Sequence, residues 1–544
     1  MPEHTEHVPD PVDLYAPQAV AEAAKNRARD LRSRDLTVRQ LCDVELLLSG
    51  ALAPLHGFMD EEDHAACLAR GALADGSPWP WPLALDVDAD FAGQTRIGEE
   101  IALRDAEGLL VALLEVSSVY EVEPEAVTGA LFPGEARAPL GPDRFRLGGR
   151  LLGVDPLIHY DFAGLRLPRS ELRQRMQRRG WGRVLAVFTG RPIGPGELAL
   201  VERHAREHEA SVLILSEGGM ADPGDARYYA RMRALTQLPA EVGDLQLEVA
   251  LIPLPTRLGS AREHLLRAHI ALNHGASHLL VLDGDLPATE PADAAAWLPT
   301  PLAASELVHL PERGLYCPPE EVPAGEQGQP CSNAELLERL ARGERIPPWL
   351  GWPALVETLE RAWPPRSAQG FTLFLTGLSG SGKSTIARAL LGRLMEQASR
   401  RVTLLDGDIV RKNLSSELGF SREHRDLNIR RIGYVASEIT KNGGVAICAP
   451  IAPYEATRSA VRQEIEAVGG FVEIHVATPL EVCEARDRKG LYAKARAGVI
   501  KEFTGISDPY EAPEDPEMRI DTTEASPDEA AQQILLKLTS LGYL

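Results

Sequence analysis

Residues 371–390 read FTLFLTGLSGSGKSTIARAL, and this stretch decides the fold of the C-terminal part of the chain. Within it, residues 377–384 fit the P-loop pattern G-x-x-x-x-G-K-[ST]. The apolar run before the loop has the length of a buried strand, and the residues from Lys383 to Met395 have helical periodicity. A strand, a glycine-rich loop and a helix in this order place backbone N–H groups and a helix N-terminus around a phosphate. The stretch therefore predicts binding of a nucleoside triphosphate.

The residue types in the loop indicate what each position does. The glycines let the backbone wrap around one phosphate, the Lys383 ammonium reaches the terminal phosphates, and the Ser384 hydroxyl binds Mg²⁺. The residues predicted to bind the nucleotide are Gly377, Ser379, Gly380, Ser381, Gly382, Lys383, Ser384 and Thr385.

A second predicted strand, at residues 402–405, runs directly into Asp406 and Asp408. Carboxylates at the end of a strand beside a P-loop suit Mg²⁺ or its waters and a substrate hydroxyl. We therefore predict that these carboxylates serve the metal and the substrate hydroxyl, with Asp406 joining Ser384 as a metal ligand.

The motifs that follow are specific in sequence and in order. They read GFSREHRDLNIRR at residues 419–431, VAICAPIAPYEATR at 445–458 and KGLYAKARAGVIKEFTGISDPYEAPEDPE at 489–517. Over residues 370–544 the chain closely resembles adenylyl-sulfate kinase, which phosphorylates the ribose 3′-hydroxyl of adenosine 5′-phosphosulfate (APS). The resemblance implies an α/β P-loop kinase with a parallel sheet and flanking helices, and ATP and Mg²⁺ as cofactors.

The resemblance also implies site residues by matched position. Asp408 is the implied base or orienter for the 3′-hydroxyl, and Lys383 is the second catalytic residue. Arginines and an asparagine hold the phosphosulfate, to which Arg presents a planar fork of donors, and two phenylalanines enclose the adenine. The implied APS-binding residues are Arg411, Phe420, Arg425, Asn428, Ile451 and Phe503.

Two further features of this region concern the family pattern. Family members often read I-S-P-Y where residues 451–454 read IAPY, so no phosphoserine can form at Ala452, and direct phosphoryl transfer does not need one. Residues 486–496 are either a mobile basic lid over the nucleotide or a plain exposed basic loop.

The residues before the kinase-like region have their own organisation. Short alternating segments up to about residue 155 predict a β-rich domain, and from Gly182 onward strands alternate with helices, which predicts a parallel α/β domain. The predicted boundaries are 1–155 for the β-rich domain, 156–295 for the α/β domain, 296–348 for a small subdomain, 349–369 for a proline-rich linker and 370–544 for the kinase domain.

Residues 36–60, 79–87 and 159–192 carry a second resemblance, to ATP sulfurylase, which makes APS from ATP and sulfate. This resemblance covers about residues 13–345. It implies that the β-rich domain is PUA-like and that the α/β domain is a Rossmann-like nucleotidyltransferase. Fused sulfurylase and kinase chains are known in bacteria and fungi, and the order of the domains agrees.

The sulfurylase signatures depart from the family. Active sulfurylases have a Q-T-R-N-P-x-H-x-x-H motif where residues 188–197 read FTGRPIGPGE, so Gly194 and Glu197 replace the two histidines. The second motif, G-R-D-H-A-G-P, corresponds to LDGDLPA at residues 282–288. Because the lost groups bind the triphosphate and sulfate, we predict that this region is catalytically inactive and serves assembly.

The sequence leaves two alternatives to an adenylyl-sulfate kinase with an inactive sulfurylase-like region. In one, both activities are retained and the chain is a bifunctional sulfate-activating enzyme. In the other, the N-terminal region is a regulatory module that senses a sulfonucleotide. Incubation with ATP and sulfate alone, with detection of pyrophosphate, separates the first alternative from the inactive interpretation.

Composition limits the partners and the compartment. The 544 residues have a formal net charge of -22, which argues against nucleic acid or a membrane as a partner. The six cysteines form no C-x-x-C pair, and a reduced, cytoplasmic protein is expected. The resemblance to fused sulfurylase and kinase chains implies a homo-oligomer, a dimer or hexamer. Five histidines on predicted helices are expected to be surface or packing residues and not ligands: His204, His208, His264, His269 and His274.

Overall fold

A computed structural model describes most of the chain. The described residues are 13–133, 143–219, 225–254, 260–282, 299–302, 307–397, 400–419, 421–487 and 489–544, with the side chains of Ala261, Gln397 and Asp408 excepted. The chain divides into two compact units, the first comprising residues 1–339 and 345–362 and the second comprising residues 340–344 and 363–544.

The first unit begins with a β-rich part built on one mixed six-stranded sheet. Its strands run in the order β1-β4-β5-β6-β2, with β3 also paired to β6, and only the β1–β4 pair is parallel. The strands are β1 (Ser33–Asp35), β2 (Gly57–Phe58), β3 (Leu85–Val87), β4 (Glu100–Arg104), β5 (Leu110–Glu121) and β6 (Phe145–Gly153). The helices are α1 (Gln18–Arg27), α2 (Val38–Leu48), α3 (Glu61–Arg70), α4 (Ala89–Gln94) and α5 (Pro124–Leu131).

A parallel α/β part follows in the same unit, as the alternation of strands and helices predicts. Its sheet has the order β11-β10-β7-β8-β9, with every pair parallel. The strands are β7 (Val184–Thr189), β8 (Ser211–Glu217), β9 (Leu247–Ile252), β10 (His278–Val281) and β11 (Thr300–Leu302). The helices are α6 (Arg169–Arg178), α7 (Pro195–Glu207), α8 (Ala226–Glu241) and α9 (Ala261–Asn273).

One continuous hydrophobic core joins the β-rich and α/β parts of this unit. Trp79, which has no exposed surface, illustrates the junction. Its ring lies edge-on to the His269 ring of α9, with the ring centroids 4.8 Å apart. Asn273, also on α9, donates to the backbone carbonyls of Ala51 and Ala53 at 2.9 and 3.0 Å.

The last part of the first unit contains a helix inside the segment predicted to be a linker. Helix α11 begins at Pro353, the first-turn position that tolerates proline, and its Leu355 and Leu359 side chains are fully buried. It packs against α8, where the Gln237 side chain donates to Thr358 at 3.2 Å. The elements here are β12 (Val308–Leu310), β13 (Leu315–Cys317), β14 (Gln329–Pro330), α10 (Asn333–Arg342) and α11 (Pro353–Glu360), with a 3₁₀ turn at Pro319–Glu321.

The second unit is built on a five-stranded sheet with the order β16-β17-β15-β18-β19, in which all pairs are parallel. Its strands are β15 (Phe371–Thr376), β16 (Val402–Asp406), β17 (Val445–Ala449), β18 (Gly470–Val476) and β19 (Met518–Ile520). Its helices are α12 (Lys383–Gln397), α13 (Gly407–Asn413), α14 (Arg422–Lys441), α15 (Glu455–Glu466), α16 (Leu480–Arg486), α17 (Leu491–Arg496) and α18 (Pro527–Ser540), after a 3₁₀ turn at Arg366–Ala368.

Both faces of this sheet are covered, which agrees with strands that read as continuous apolar runs. Helices α12 and α18 enclose a core on one face, and α14 and α15 enclose a core on the other. The predicted strand at residues 371–376 and the helix from Lys383 are confirmed. All six cysteines are free thiols. Among the described helices, none combines the length and hydropathy needed to cross a bilayer.

Candidate active site

The P-loop connects the end of β15 to the start of α12 through backbone conformations that require glycine. Gly377 has a φ of +148° and Gly380 a φ of +78°. A Cβ atom at Gly377 would lie 2.5 Å from the Val476 carbonyl oxygen, and one at Gly380 would lie 3.0 Å from that of Cys483. Any side chain at Gly377 would therefore collide with the end of β18 and displace the loop.

The Lys383 side chain is buried inside the loop. Its Nζ donates to the carbonyl oxygens of Gly377 at 2.9 Å and Leu378 at 2.7 Å, and lies 3.4 Å from the Ser381 hydroxyl. Burial lowers the pKa of Lys383 to about 8, with Cys483 and Asp406 acting in the opposite direction. A desolvated ammonium held by neutral carbonyls gains more from a nearby phosphate than an exposed ammonium does.

Three side chains that the sequence analysis did not identify hold the loop in place. The Ser381 carbonyl oxygen accepts hydrogen bonds from the hydroxyls of Thr478 at 3.1 Å and Thr522 at 2.9 Å. The Tyr492 hydroxyl donates to the Ser379 carbonyl oxygen at 2.8 Å. Thr478 and Thr522 follow β18 and β19, so the topology of the parallel sheet brings them to the loop, and no local motif signals them.

The predicted metal ligands lie together at the carboxyl edge of the sheet. The Ser384 hydroxyl donates to Oδ1 of Asp406 at 3.1 Å, and Oδ2 of Asp406 lies 3.9 Å from the Arg388 guanidinium. A hydroxyl beside a buried carboxylate is an oxygen donor set of the kind Mg²⁺ prefers, so the two residues fit the metal. Asp408 is the second residue of α13, and its side chain is outside the described atoms.

Arg425 and Asn428 lie on the first two turns of α14. This helix leads back to the start of the parallel strand β17, so it begins at the carboxyl edge of the sheet, where the P-loop also lies. Nη1 of Arg425 donates to the Thr504 hydroxyl at 2.8 Å and to the Asp508 carboxylate at 2.7 Å. Its Nε and Nη2 are buried without a partner among the described residues, and so is Oδ1 of Asn428. Buried polar atoms without partners are rare, and these are suited to a polar, anionic ligand.

The structure places the predicted adenine and substrate contacts as follows. Phe503 is buried, and its ring lies edge-on to Tyr492 with the centroids 4.9 Å apart. Phe420, its predicted partner around the adenine, lies outside the described residues. The Ile451 carbonyl oxygen accepts from the Thr376 hydroxyl at 2.6 Å, which fixes Ile451 beside the start of the P-loop.

Arg411 is placed at the far end of α13. Its Nη1 lies 3.4 Å from the carbonyl oxygens of both Leu418 and Gly419, so it contacts the backbone next to Phe420. The described contacts thus link Lys383, Ser384 and Asp406 in one group, and Arg425 and Phe503 in a second group through the loop at Thr504.

Ala452, where relatives often have serine, has an unusual backbone. Its φ is +45°, a left-handed conformation that costs a residue with a Cβ on the order of 1 kcal/mol, and its side chain is buried. The Ala452 carbonyl oxygen accepts from the fully buried Arg458 at 2.7 Å, and Arg458 also pairs with Glu473 at 3.0 Å. This buried pair holds the turn that presents Ile451.

In the first unit, the residues in place of the sulfurylase histidines have structural partners. Glu197 is partly buried, its Oε2 accepts from the Gly194 N–H at 3.1 Å, and its Oε1 accepts from the Asn333 N–H at 2.6 Å. Burial raises the pKa of Glu197, and these backbone donors oppose that rise. Asp283 and Asp285, in the second altered motif, lie outside the described residues.

Three family profiles match the chain in the predicted order. They are the PUA-like domain over residues 4–140, ATP-sulfurylase over 163–362 and adenylylsulphate kinase over 369–521. A protein called sulfate adenylyltransferase in Emericella nidulans is 40% identical to this chain, over 97% of this chain and 96% of its own length. A protein of the same name in Mycosarcoma maydis is also 40% identical, over 96% of this chain and 97% of its own length. The chain belongs to the family of fused ATP sulfurylase and adenylyl-sulfate kinase proteins.

A solved structure supports the same assignment. The hexameric APS kinase from Thiobacillus denitrificans is 40% identical, with a TM-score of 0.83, over 98% of both chains. Members of the fused family use ATP as a substrate, and the C-terminal part of this chain is an adenylyl-sulfate kinase domain. The predicted inactivity of the sulfurylase region has no support from the comparisons. The names of the fungal relatives agree better with two activities.

Proposed function

We propose that the fused chain transfers the γ-phosphoryl group of ATP to the 3′-hydroxyl of APS, giving ADP and 3′-phosphoadenosine 5′-phosphosulfate. The observation that carries the proposal is that two complementary sites occur at one edge of one sheet. The P-loop with its buried Lys383 follows β15. Arg425, two of whose donors have no partner among the described residues, lies in the first turn of α14 at that same edge. A nucleotide and an anionic acceptor bound at these places approach each other.

The chemistry is a displacement at phosphorus. The 3′-oxygen of APS forms a bond to the γ-phosphorus, the bond from that phosphorus to the β,γ-bridging oxygen breaks, and ADP leaves with the bridging oxygen. The hydroxyl proton passes to the Asp408 carboxylate. Catalysis of this kind depends mainly on positioning and charge neutralisation, which the Lys383 ammonium and the loop N–H groups provide.

Ser384 and Asp406 would hold Mg²⁺, which supplies positive charge to the phosphates when bound. On the acceptor side, Arg411, Arg425 and Asn428 bind the phosphosulfate and Phe503 packs against the adenine. The Arg425–Asp508 ion pair at 2.7 Å orients the guanidinium.

The test is APS-dependent formation of ADP and of the 3′-phosphorylated product by the full-length protein, separated by anion-exchange chromatography. Lys383→Ala should lower the rate by a factor on the order of 10³ or more. ATP consumption that does not depend on APS would contradict the proposal.

A second activity, synthesis of APS from ATP and sulfate by the first unit, is favoured by the full-length match to proteins called sulfate adenylyltransferase. Two features favour a catalytically inactive first unit: backbone N–H groups already occupy the Glu197 carboxylate, and Gly194 stands where active sulfurylases have a histidine. Sulfate-dependent pyrophosphate release by Lys383→Ala decides between them, because this variant blocks the kinase and leaves the first unit unchanged. A steady release establishes two activities, and its absence establishes one.

We also propose that the chain forms a homo-oligomer in a reducing, cytoplasmic environment. The relative from Thiobacillus denitrificans is hexameric, and all six cysteines of this chain are free thiols. Sedimentation equilibrium of the full-length protein tests the assembly, and a monomer at micromolar concentration would contradict it.

A further inference from the structure

The first unit contains a histidine cluster that the proposed activities do not use. Residues 204–208, at the end of α7, read His-Ala-Arg-Glu-His. Positions i, i+3 and i+4 share one face of a helix, so His204, Glu207 and His208 project to the same side. Their possible ligand atoms all lie within 4.8 Å of one another.

A fourth side chain reaches the cluster from the sheet. His278 is the first residue of β10, and its ring centroid lies 4.5 Å from that of His208. Nδ1 of His278 lies 2.9 Å from the Ser277 hydroxyl, which also contacts the Val184 backbone. A hydrogen bond at one ring nitrogen orients an imidazole and leaves the other nitrogen for a ligand, as is common for metal-binding histidines.

The charges around the cluster suit a cation. The C-terminal end of α7 carries the negative end of the helix dipole, and Glu207 adds a carboxylate. Arg203 pairs with Oε1 of Glu207 at 2.9 Å, while Oε2 lies 3.6 Å from Nδ1 of His204 and faces the cluster.

The position of the cluster separates it from the predicted nucleotide sites. Helix α7 starts at the carboxyl edge of its sheet, where Gly194 and Glu197 lie, and ends at the opposite edge. Strand β10 starts at that opposite edge. An ion bound there would join the end of α7 to the start of β10 and would have no contact with the residues that replace the sulfurylase motif.

We propose that His204, Glu207, His208 and His278 form a binding site for one divalent transition-metal ion of the Zn²⁺ type. Imidazole and carboxylate donors are the ligands that Zn²⁺ accepts in four-coordinate sites. Metal–ligand distances of about 2.0–2.2 Å place the donors about 3.3 Å apart, so the side chains must close by rotation from their present spacing. The site is structural and stabilises the sulfurylase-like domain.

The sequence predicts that all five helical histidines are packing or surface residues. For His269 and His274 the structure agrees, because both side chains are buried. A ring nitrogen of His269 is hydrogen-bonded to the Ala53 carbonyl oxygen, and one of His274 to the Ile270 carbonyl oxygen. His204 and His208 differ, since they form a cluster with His278 that only the tertiary fold assembles.

The experiment uses the full-length protein after treatment with a chelator. Calorimetric titration with Zn²⁺ should give one ion per chain at this site, and Co²⁺ should give the intense visible absorption of a tetrahedral complex. The double variant His204→Gln/His208→Gln should lose the absorption and weaken binding by about 100-fold or more, beyond the 10- to 100-fold of outer-shell changes. The control His4→Gln/His7→Gln, in the N-terminal segment, should behave as wild type.

Two further variants keep the test decisive if the double variant misfolds. Glu207 is exposed, so Glu207→Gln should fold and weaken Zn²⁺ binding by at least about tenfold, and Ser277→Ala should weaken it by about tenfold through His278. Zn²⁺ should raise the thermal midpoint of wild type but not of the double variant. Equal binding by wild type and Glu207→Gln, or no binding by wild type, would overturn the proposal.

Discussion

The Ser384 hydroxyl donates a hydrogen bond to Oδ1 of Asp406 across 3.1 Å, joining the first turn of α12 to the end of β16. Strand β17 lies between β16 and β15, the strand that leads into α12, so the contact depends on the whole parallel arrangement. Because Asp406 is buried, its charge is available mainly to a cation bound at this place.

Asp406→Asn should therefore raise the Mg²⁺ concentration for half-maximal kinase activity by a factor on the order of ten or more, because Asn keeps the hydrogen bond and removes the charge. Kinase rates at increasing Mg²⁺ measure this change. Asp426→Asn is the matched control, since Asp426 likewise accepts from a hydroxyl, that of Thr457 at 2.6 Å, but lies on α14. The same Mg²⁺ dependence in both variants would show that Asp406 is not a ligand.

The affinity for ATP should fall as the pH rises above about 8. The pKa of Lys383 is lowered by burial to about 8, while a bound triphosphate favours the ammonium form. The free protein must then take up a proton to bind, so the apparent Kd should rise about tenfold between pH 7 and pH 9. Titration calorimetry measures the profile.

Lys383→Arg is the control for this pH dependence, because a guanidinium stays charged throughout the range. Its ATP affinity should be weaker but nearly constant from pH 7 to pH 9. A wild-type profile as flat as that of Lys383→Arg would mean that Lys383 keeps its ordinary pKa.

Arg425→Lys should raise the KM for APS by about 10- to 100-fold, the range expected for lost hydrogen bonds to a charged group. Lysine keeps the charge for Asp508 but lacks the planar fork, whose Nε and Nη2 have no partner in the described part of the chain. The KM for ATP should stay within about twofold. Arg430→Lys, an exposed position on the same helix, should change neither constant, and a similar KM for APS in both variants would contradict the assignment.

Asp408→Asn should lower kcat by a factor on the order of 10²–10⁴ while the Kd for ATP stays within about twofold, because the carboxylate acts on the acceptor hydroxyl. Single-turnover kinetics separate the chemical step from binding. An unchanged kcat would assign Asp408 a structural role.

The sequence predicted the features that depend on local pattern. The P-loop, its flanking strand and helix, and the alternation of the first unit's strands and helices follow from spacing and apolar periodicity, which neighbouring residues determine. Helix α11 was missed because its prolines were interpreted only as breaks, although Pro353 occupies a first-turn position.

The residues that complete the sites depend on contacts that are distant in the chain. Thr522 reaches the Ser381 carbonyl across 141 positions, and Asn333 reaches Glu197 across 136. From the sequence, Glu197 indicates only a negative charge that would repel phosphate. In the fold the same carboxylate accepts hydrogen bonds from two backbone N–H groups, so its structural role is visible only in the structure.

Glu197→Gln should destabilise the first unit by about 1–3 kcal/mol, because glutamine has one acceptor oxygen where the carboxylate uses two, and one buried N–H group loses its partner. Burial raises the pKa of Glu197, so the native state holds the proton more tightly than the unfolded chain does. The stability contributed by the carboxyl group therefore falls as the pH rises from the ordinary Glu range through the raised pKa. Thermal unfolding of the full-length protein at neutral pH measures the change, with an expected decrease of several degrees in the first unit's transition.

Glu202→Gln, on the same helix, is the matched control for Glu197→Gln, because Glu202 pairs with the exposed Arg206 at the surface. It should shift stability by less than about 0.5 kcal/mol. Kinase activity should be unaffected in both variants, since the two residues lie in the first unit. If Glu197→Gln unfolds like wild type while changing sulfate-dependent pyrophosphate release, then Glu197 serves a chemical step, and the two-activity interpretation gains a catalytic residue in place of a structural one.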